Sequence, residues 1–326
     1  MGVLRLLLAS AVLLSHLGVG IYGLNIGVVA VVIFYSLAGH VVASLWSRWQ
    51  HQSQPFKRFY IDRSWRILPQ YIVAMLWASL LWFNNTVSVF LSQSPTGLDW
   101  LANLLIVPLN YYMYTGQDHF TLIPPAWSLA AEVQFYLLAP FILRLSLPKM
   151  ALCLGLSLLV FVLAQLQWLN SDYYGYRLLP GVLFIFLLGA LQQLNHQQPK
   201  RMLARCLLSL WLINALYLLA LLLTGFQQPY NQEVSLGLFL AMPLLAVFAT
   251  KNQLLPANYS LQQLNKYLGA LSYGVFLYHF PVLWQLNLSL PVANNSDIFK
   301  TLVLTFIAAV IGHGLIERPL WRLFRR

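Results

Sequence analysis

Residues 25–47 read NIGVVAVVIFYSLAGHVVASLWS, with no lysine, arginine, aspartate or glutamate in the run. A helix needs about 20 apolar residues to cross a ~30 Å hydrocarbon core, so this stretch predicts a membrane span. Working outward, apolar blocks of similar length recur on both sides. They give ten candidate spans, at about 3–22, 25–47, 66–83, 126–146, 150–168, 178–195, 203–223, 234–250, 267–287 and 299–317. Composition agrees: 60% of the 326 residues are hydrophobic and 8% are charged, against about 45–50% and about 25% in soluble domains. So few charges cannot cover a soluble surface. The fold class expected is an all-α integral membrane protein, one transmembrane domain over 1–326. The first block, with Arg5 before an apolar run, also has the outline of a cleaved signal peptide. No small-x-small cleavage site follows it, which favours a retained helix.

Orientation follows from the basic residues, because cytoplasmic loops of membrane proteins are enriched in them. With the N-terminus inside, seventeen of the nineteen lysines and arginines fall on the cytoplasmic side, among them Lys251 and the terminal Arg322, Arg325 and Arg326. Arg177 and Lys300 fall outside, together with Asp99, Asp118, Asp172, Glu233 and Asp297. A missed or invented helix would scramble this sorting downstream of it, so both termini are expected in the cytoplasm. The same sorting absorbs the net charge of +11 and removes nucleic acid as an expected partner. Cys153 and Cys206 show neither pairing nor ligand spacing, so no disulfide and no metal site are expected.

Two connections stand out, a basic cytoplasmic loop at about 48–66 and an outer loop at about 84–125. The second contains DWLANLLIVPLNYYMY, residues 99–114, which reads as an interfacial or re-entrant helix with aromatic anchors.

Ionisable groups inside spans are costly in hydrocarbon and mark functional sites by default. They are His16, His40, Glu132, His279 and, towards the end of the last span, His313 and Glu317. At a rise of about 1.5 Å per residue, His16 lies roughly 20 Å from the cytoplasmic start of its span, and His279 near 18 Å by the same count. Glu132 descends from the opposite face by roughly 9 Å, so in a ~30 Å core the three share one level and suggest a polar chamber. A single histidine is as readily a packing residue bonded to a neighbouring helix. His16 with Glu132 points further, since a carboxylate in lipid needs a partner and histidine is the commonest acid or base near neutral pH. Glu317 sits beside Arg318 and reads as a helix-end ion pair.

The pattern resembles the acyltransferase 3 family of integral-membrane O-acyltransferases. Arg5 and His16 reproduce an Arg-x10-His spacing; RSWRILPQY carries Arg-x-x-Arg through Arg63 and Arg66; WSLAAEVQFYLLAP carries Trp127, Ser128, Glu132 and Tyr136. LSYGVFLYHFPV is similar to the late family motif through Ser272, Tyr273 and His279, and IERP to the closing Glu-x-Pro. The matches run in order from residue 5 to residue 319. Span two departs from the family's Val-Asp-x-Phe-Phe-x-x-Ser-Gly: the acid is Val32, the serine is Ala38, and His40 follows Gly39.

The resemblance implies an acyl-CoA donor, no metal, and an acceptor hydroxyl on a cell-envelope glycan or lipid-linked saccharide at a bacterial inner membrane. Arg5, Arg63 and Arg66 would meet the donor's phosphates, for which guanidinium forks are suited; positive-inside anchoring also accounts for a basic loop. His16 would act as general base. Glu132 would either hold its imidazole, as the carboxylate of a triad does, or contact acceptor hydroxyls. Trp127, Ser128, Tyr136, Tyr273, His279, His40 and Arg177 would line the acceptor side or chamber, Trp127 by stacking on a sugar or by anchoring at the interface. The reading is therefore transfer of an acyl group, acetyl by expectation. The alternative is a saccharide or lipid transporter with a His/Glu proton relay, although the matched breaks in two repeats that would mark one are not seen.

Overall fold

A computed structural model describes residues 1–86, 88–254 and 259–320, without the side chains of 248–254 and 259. Arg322, Arg325, Arg326 and the side chain of Lys251 therefore lie outside the described residues. What is described is helical throughout: α1 Gly2–His16, α2 Ile26–Trp49, α3 Pro55–Phe83, α4 Gly97–Leu105, α5 Tyr112–Thr115, α6 Ala126–Ile142, α7 Leu147–Gln165, α8 Leu179–Gln197, α9 Arg201–Thr224, α10 Asn231–Leu254, α11 Tyr259–Gln285 and α12 Asn295–Gly312. π-Helical turns at Tyr173–Arg177 and His313–Glu317 lead into α8 and extend α12. Each of the ten expected spans overlaps a helix, though not all of these helices are long and apolar enough to cross a membrane. Among the described residues, six helical stretches are long and apolar enough to cross a membrane: α2, α3, α7, α9, Tyr173–Gln197 and Asn295–Leu320. The chain is thus an all-helical, multi-pass membrane protein.

Two expectations change at helix ends. The basic loop at 48–66 is mostly helix, because α3 begins at Pro55, where a missing N–H costs nothing in a first turn. The hydropathy of the sequence marks where hydrocarbon ends, whereas a helix continues into water wherever its backbone stays bonded. Conversely, α1 stops at His16, short of the expected residue 22. Gly18 follows at φ +92° against Pro291, and Val292 N–H donates to Leu17 O at 3.0 Å, which ties the turn down. His16 is consequently the last residue of its helix.

The chain divides into two compact units, 1–20 with 61–130 and 257–326, and 21–60 with 131–256. In the first, α1 lies on α11: Val3 N–H donates to Asn265 Oδ1 at 3.1 Å. The long connection expected at 84–125 is fastened by hydrogen bonds over its described residues 96–122. Fully buried Asn103 donates to Asp99 O at 2.9 Å and Phe120 O at 3.1 Å, and accepts from Leu122 N–H at 2.9 Å. Its helix α4 starts with a capping box between Thr96 and Asp99. Burial raises the Asp99 carboxyl pKa, but the Thr96 N–H and hydroxyl and the nearby His119 outweigh burial and hold it below its ordinary value. A depressed carboxylate stabilises above its unfolded pKa, about 3.9, and that stability is lost as pH falls through the lowered value. Amide exchange in α4 is therefore expected to rise below about pH 4, by the ~1 kcal/mol of a lost cap, and Asp99→Asn to flatten that response.

In the second unit, α2 and α8 cross at contact distance. A Cβ on Gly39 would stand 1.8 Å from Phe186 O, and one on Gly189 would stand 1.9 Å from Ser36 O. Backbones approach this closely only through small residues, the usual means of helix association in lipid. Gly39→Ala must push backbone rather than a side chain, so a destabilisation of about 1–3 kcal/mol or more is expected, read as a lower melting temperature in detergent.

Candidate functional site

Most of the predicted site residues fall into three clusters, two in the first unit and one in the second. The first joins the end of α1 to the C-terminal third of α11. His279 is fully buried, and its Nε2 lies 3.1 Å from His16 Nδ1, with the rings stacked at 5.1 Å and 19°. Its own Nδ1 faces the carbonyl of Val275 at 3.2 Å, one helical turn back. The Phe280 ring packs against both histidines, at 5.2 and 5.0 Å.

With both rings neutral, the Val275 carbonyl assigns the protons along this chain of contacts. A carbonyl oxygen only accepts, so His279 Nδ1 carries the hydrogen and donates it to Val275 O. In neutral His279, Nε2 is then an acceptor, and His16 donates to it from Nδ1. The lone pair of His16 consequently sits on Nε2, the far side of the ring. A histidine held in this tautomer by a second group has the arrangement of a general base in a triad, with an imidazole in place of the carboxylate.

The second cluster gathers around Glu317, which is 4% exposed. Arg66 from α3 forms an ion pair with it, Gln70 Nε2 donates to its Oε2 at 2.5 Å, and His313 Nδ1 lies 2.9 Å from the same oxygen. The Arg66 guanidinium also stands 6.0 Å over the ring of Tyr273, whose hydroxyl donates to Ile67 O at 3.0 Å. The expected edge pair with Arg318 is thus replaced by a buried one with Arg66, because the π-helical turn at 313–317 carries the carboxylate inward beside His313. Arg63 pairs with the adjacent Asp62, and Arg5 lies in the first turn of α1.

Trp127 and Ser128 belong to the first unit as well, in the opening turn of α6. Asn110 Nδ2 donates to Trp127 O at 3.1 Å, and the Ser128 hydroxyl to Pro125 O at 3.0 Å. These bonds cover carbonyls at a helix start.

The third cluster lies in the second unit. The Tyr136 hydroxyl donates to Glu132 Oε1, one turn apart on α6. Arg177, at the end of a π-helical turn, is held by Asp172 at 2.6 Å and lies 5.3 and 5.7 Å from the rings of Tyr176 and Tyr230. Tyr35, its ring 4.6 Å from Phe186, sits within electrostatic reach of both Glu132 and Arg177. His40 is buried on α2 of the same unit. The structure therefore brings His16 to His279, Arg66 to Glu317 and Tyr273, and Glu132 to Tyr136; His16 and Glu132 belong to different units.

Sequence reasoning passed over Tyr35, Gln70 and the inward turn of Glu317. For Glu317 the signal is IERP itself, a family-like motif whose acid the sequence pairs with the adjacent Arg318.

Comparison with known proteins gives one family and several relatives. A family model described as "Acyltransferase domain" matches residues 1–314. The chain is 34% identical over 198 residues to an uncharacterized protein of Aquifex aeolicus, covering 60% of this chain and 86% of that one. It is 27% identical over 330 residues to the peptidoglycan O-acetyltransferase OatA of Listeria monocytogenes, covering 90% of this chain and 51% of the relative. The chain thus spans about half the length of that relative. No solved structure matches the chain.

Proposed function

The chain belongs to the acyltransferase 3 family, and on that premise we propose that it moves an acyl group, acetyl in the first instance, from cytosolic acyl-CoA to a hydroxyl of a cell-envelope glycan or lipid-linked saccharide. The observation that carries the reading is the 3.1 Å contact between His16 Nδ1 and His279 Nε2, which, with the proton on His16 Nδ1, puts that ring's lone pair on Nε2. An alcohol attacks a thioester slowly until a base takes its proton. His16 Nε2 takes it as the new C–O bond forms. The C–S bond then breaks, and the same proton passes from the imidazolium to the departing sulfur.

With His279 in the orienting role, Glu132 is assigned the other of its two roles, accepting from acceptor hydroxyls, with Tyr136 fixing its rotamer. Arg177 and the tyrosines about it are proposed as contacts for a sugar bearing an anionic group, and Trp127 as a stacking surface. Arg66 is proposed to meet donor phosphate together with Arg63 and Arg5. A guanidinium has five donors, and its contact with Glu317 is through Nη1. Ten spans in a single domain, both termini in the cytoplasm and a bacterial inner-membrane location complete the proposal. The relative's name supports peptidoglycan as one acceptor to try first.

Membranes containing the full chain, given radiolabelled acetyl-CoA and envelope glycan, are expected to place label on the glycan in an alkali-labile ester. Absence of label with every acyl-CoA tried, together with movement of saccharide across the membrane, would favour the transporter.

A further inference from the structure

Helices α7 to α10 of the second unit line an open cavity of about 650 Å³ that the proposed reaction does not use. This is the size of a small-molecule site, about 300–1,000 Å³. Its walls are carbon: Leu154 and Phe161 from α7, Phe184 and Leu188 from α8, Leu238 and Met242 from α10.

Of the polar side chains that reach the wall, Tyr217, Trp211 and Asn214 direct hydrogen bonds back into the protein, and Gln167 is exposed just past the end of α7. Tyr217 O–H donates to Gln165 Oε1 at 2.9 Å, and Trp211 Nε1 donates to Phe239 O at 2.9 Å. Asn214 donates to Ser235 O at 3.0 Å and accepts from the Ser235 hydroxyl at 3.0 Å. A hydrated ligand entering here would lose water contacts and regain few, whereas hydrocarbon loses none.

The position of the mouth identifies the medium that supplies the occupant. Two lining residues, Val162 on α7 and Ile213 on α9, are 41% and 62% exposed. Their neighbours Leu159 and Leu212 are exposed too, on helices apolar and long enough to cross the bilayer. The side between α7 and α9 therefore faces lipid tails, while exposed Leu166, Gln167 and Phe226 carry the rim on past the ends of those helices. Gln228 Nε2, which donates to Gln165 O at 3.0 Å, braces one end beside the Tyr217 bond.

We propose that this cavity binds an acyl chain of a bilayer phospholipid, entering sideways between α7 and α9. Within a membrane the gain comes from dispersion contacts with wall atoms that an empty void would forfeit. The site stands independently of the acyl-transfer reading.

The test uses the full chain in detergent micelles with phosphatidylglycerol carrying a diazirine midway along one acyl chain. After photolysis, labelled positions are mapped by mass spectrometry as probe concentration rises. Label on Leu158, Phe161 and Leu210 is expected to saturate, while label on Leu212 and Leu216 of the outer face rises in proportion to probe. Leu158→Trp, which puts an indole into the cavity and narrows the path of a chain through it, is expected to lower the saturable label several-fold and leave the outer-face label unchanged. The wild-type saturation curve decides the matter even if that variant fails to fold. Proportional labelling on both sets of residues would overturn the proposal. So would displacement of the saturable label by undecaprenyl phosphate at concentrations where unlabelled phosphatidylglycerol has no effect.

Discussion

Replacing His16 with alanine lowers acyl transfer by about 10²–10⁴-fold or to nothing, the range attributable to a positioned base, with the protein still inserted and of unchanged melting temperature. His279→Phe is the more informative companion. It preserves ring volume beside Phe280 while removing the acceptor that holds the His16 Nδ1–H at 3.1 Å. The His16 imidazole can then carry its proton on either nitrogen and rotate. In triad enzymes a wrong tautomer costs up to about 10⁴ in kcat, so a fall of at least about 10²-fold is expected here. Because His279 acts through His16, kcat should fall with little change in the KM for donor, and the acid limb of the pH–rate profile should shift. A merely structural His279 would lower both enzyme yield and melting temperature while leaving the pH profile of the surviving enzyme intact. Full activity in inserted His16→Ala would remove the base assignment altogether.

The second large effect is expected at Glu317. Removing one partner of a buried ion pair leaves an uncompensated charge and costs about 3–5 kcal/mol. Glu317 is 4% exposed, but the Arg66 side chain is 24% exposed, so the lower end of that range applies to Glu317→Ala and less to removal of the acid's need by Glu317→Gln. Arg66→Ala leaves the carboxylate with Gln70 and His313, of which only His313 can bring a positive charge. The Arg66→Met/Glu317→Leu double variant is expected to be more stable than Arg66→Met alone, because no buried charge is left over. Melting curves in detergent for the four corners of the cycle measure the coupling, expected within about 0.5–3 kcal/mol. Arg66→Lys separates a donor role from this structural one. It keeps a charge near Glu317 but loses the planar fork, so KM for acyl-CoA should rise while the melting temperature changes little. An unchanged KM would leave Arg66 as a tie between α3 and the end of α12 only.

The helix pattern was legible in the sequence because hydrocarbon imposes a length and an absence of charge that a linear string displays directly. Residues 25–47 announced α2 to within two residues at each end. The ends that shifted were those set by other forces. α1 stops at His16 because Gly18 and the Pro291 turn hold the chain there, and α3 reaches back to Pro55 because backbone bonding does not end where apolar side chains do. Neither reason can be read from hydropathy.

Site residues were legible one at a time and illegible as partners. His16, Glu132 and His279 stood out because an ionisable group inside an apolar run is costly wherever it points. Depth along a helix axis is also readable, at a fixed rise per residue. Which side of each helix a group faces, and which helix it meets, depends on rotation and crossing. Those are set by contacts such as Gly39 on Phe186 and Gly2 beside Asn265.

By itself, then, the sequence determined a multi-pass helical protein and the short roster of groups able to do chemistry, since both follow from the cost of charge in hydrocarbon. Tertiary structure alone decided that His16 leans on His279, that Glu317 turns inward to Arg66, and that α7 to α10 leave a carbon-walled cavity. Each of these is a meeting of residues far apart in the chain, and its geometry exists only once the helices have packed.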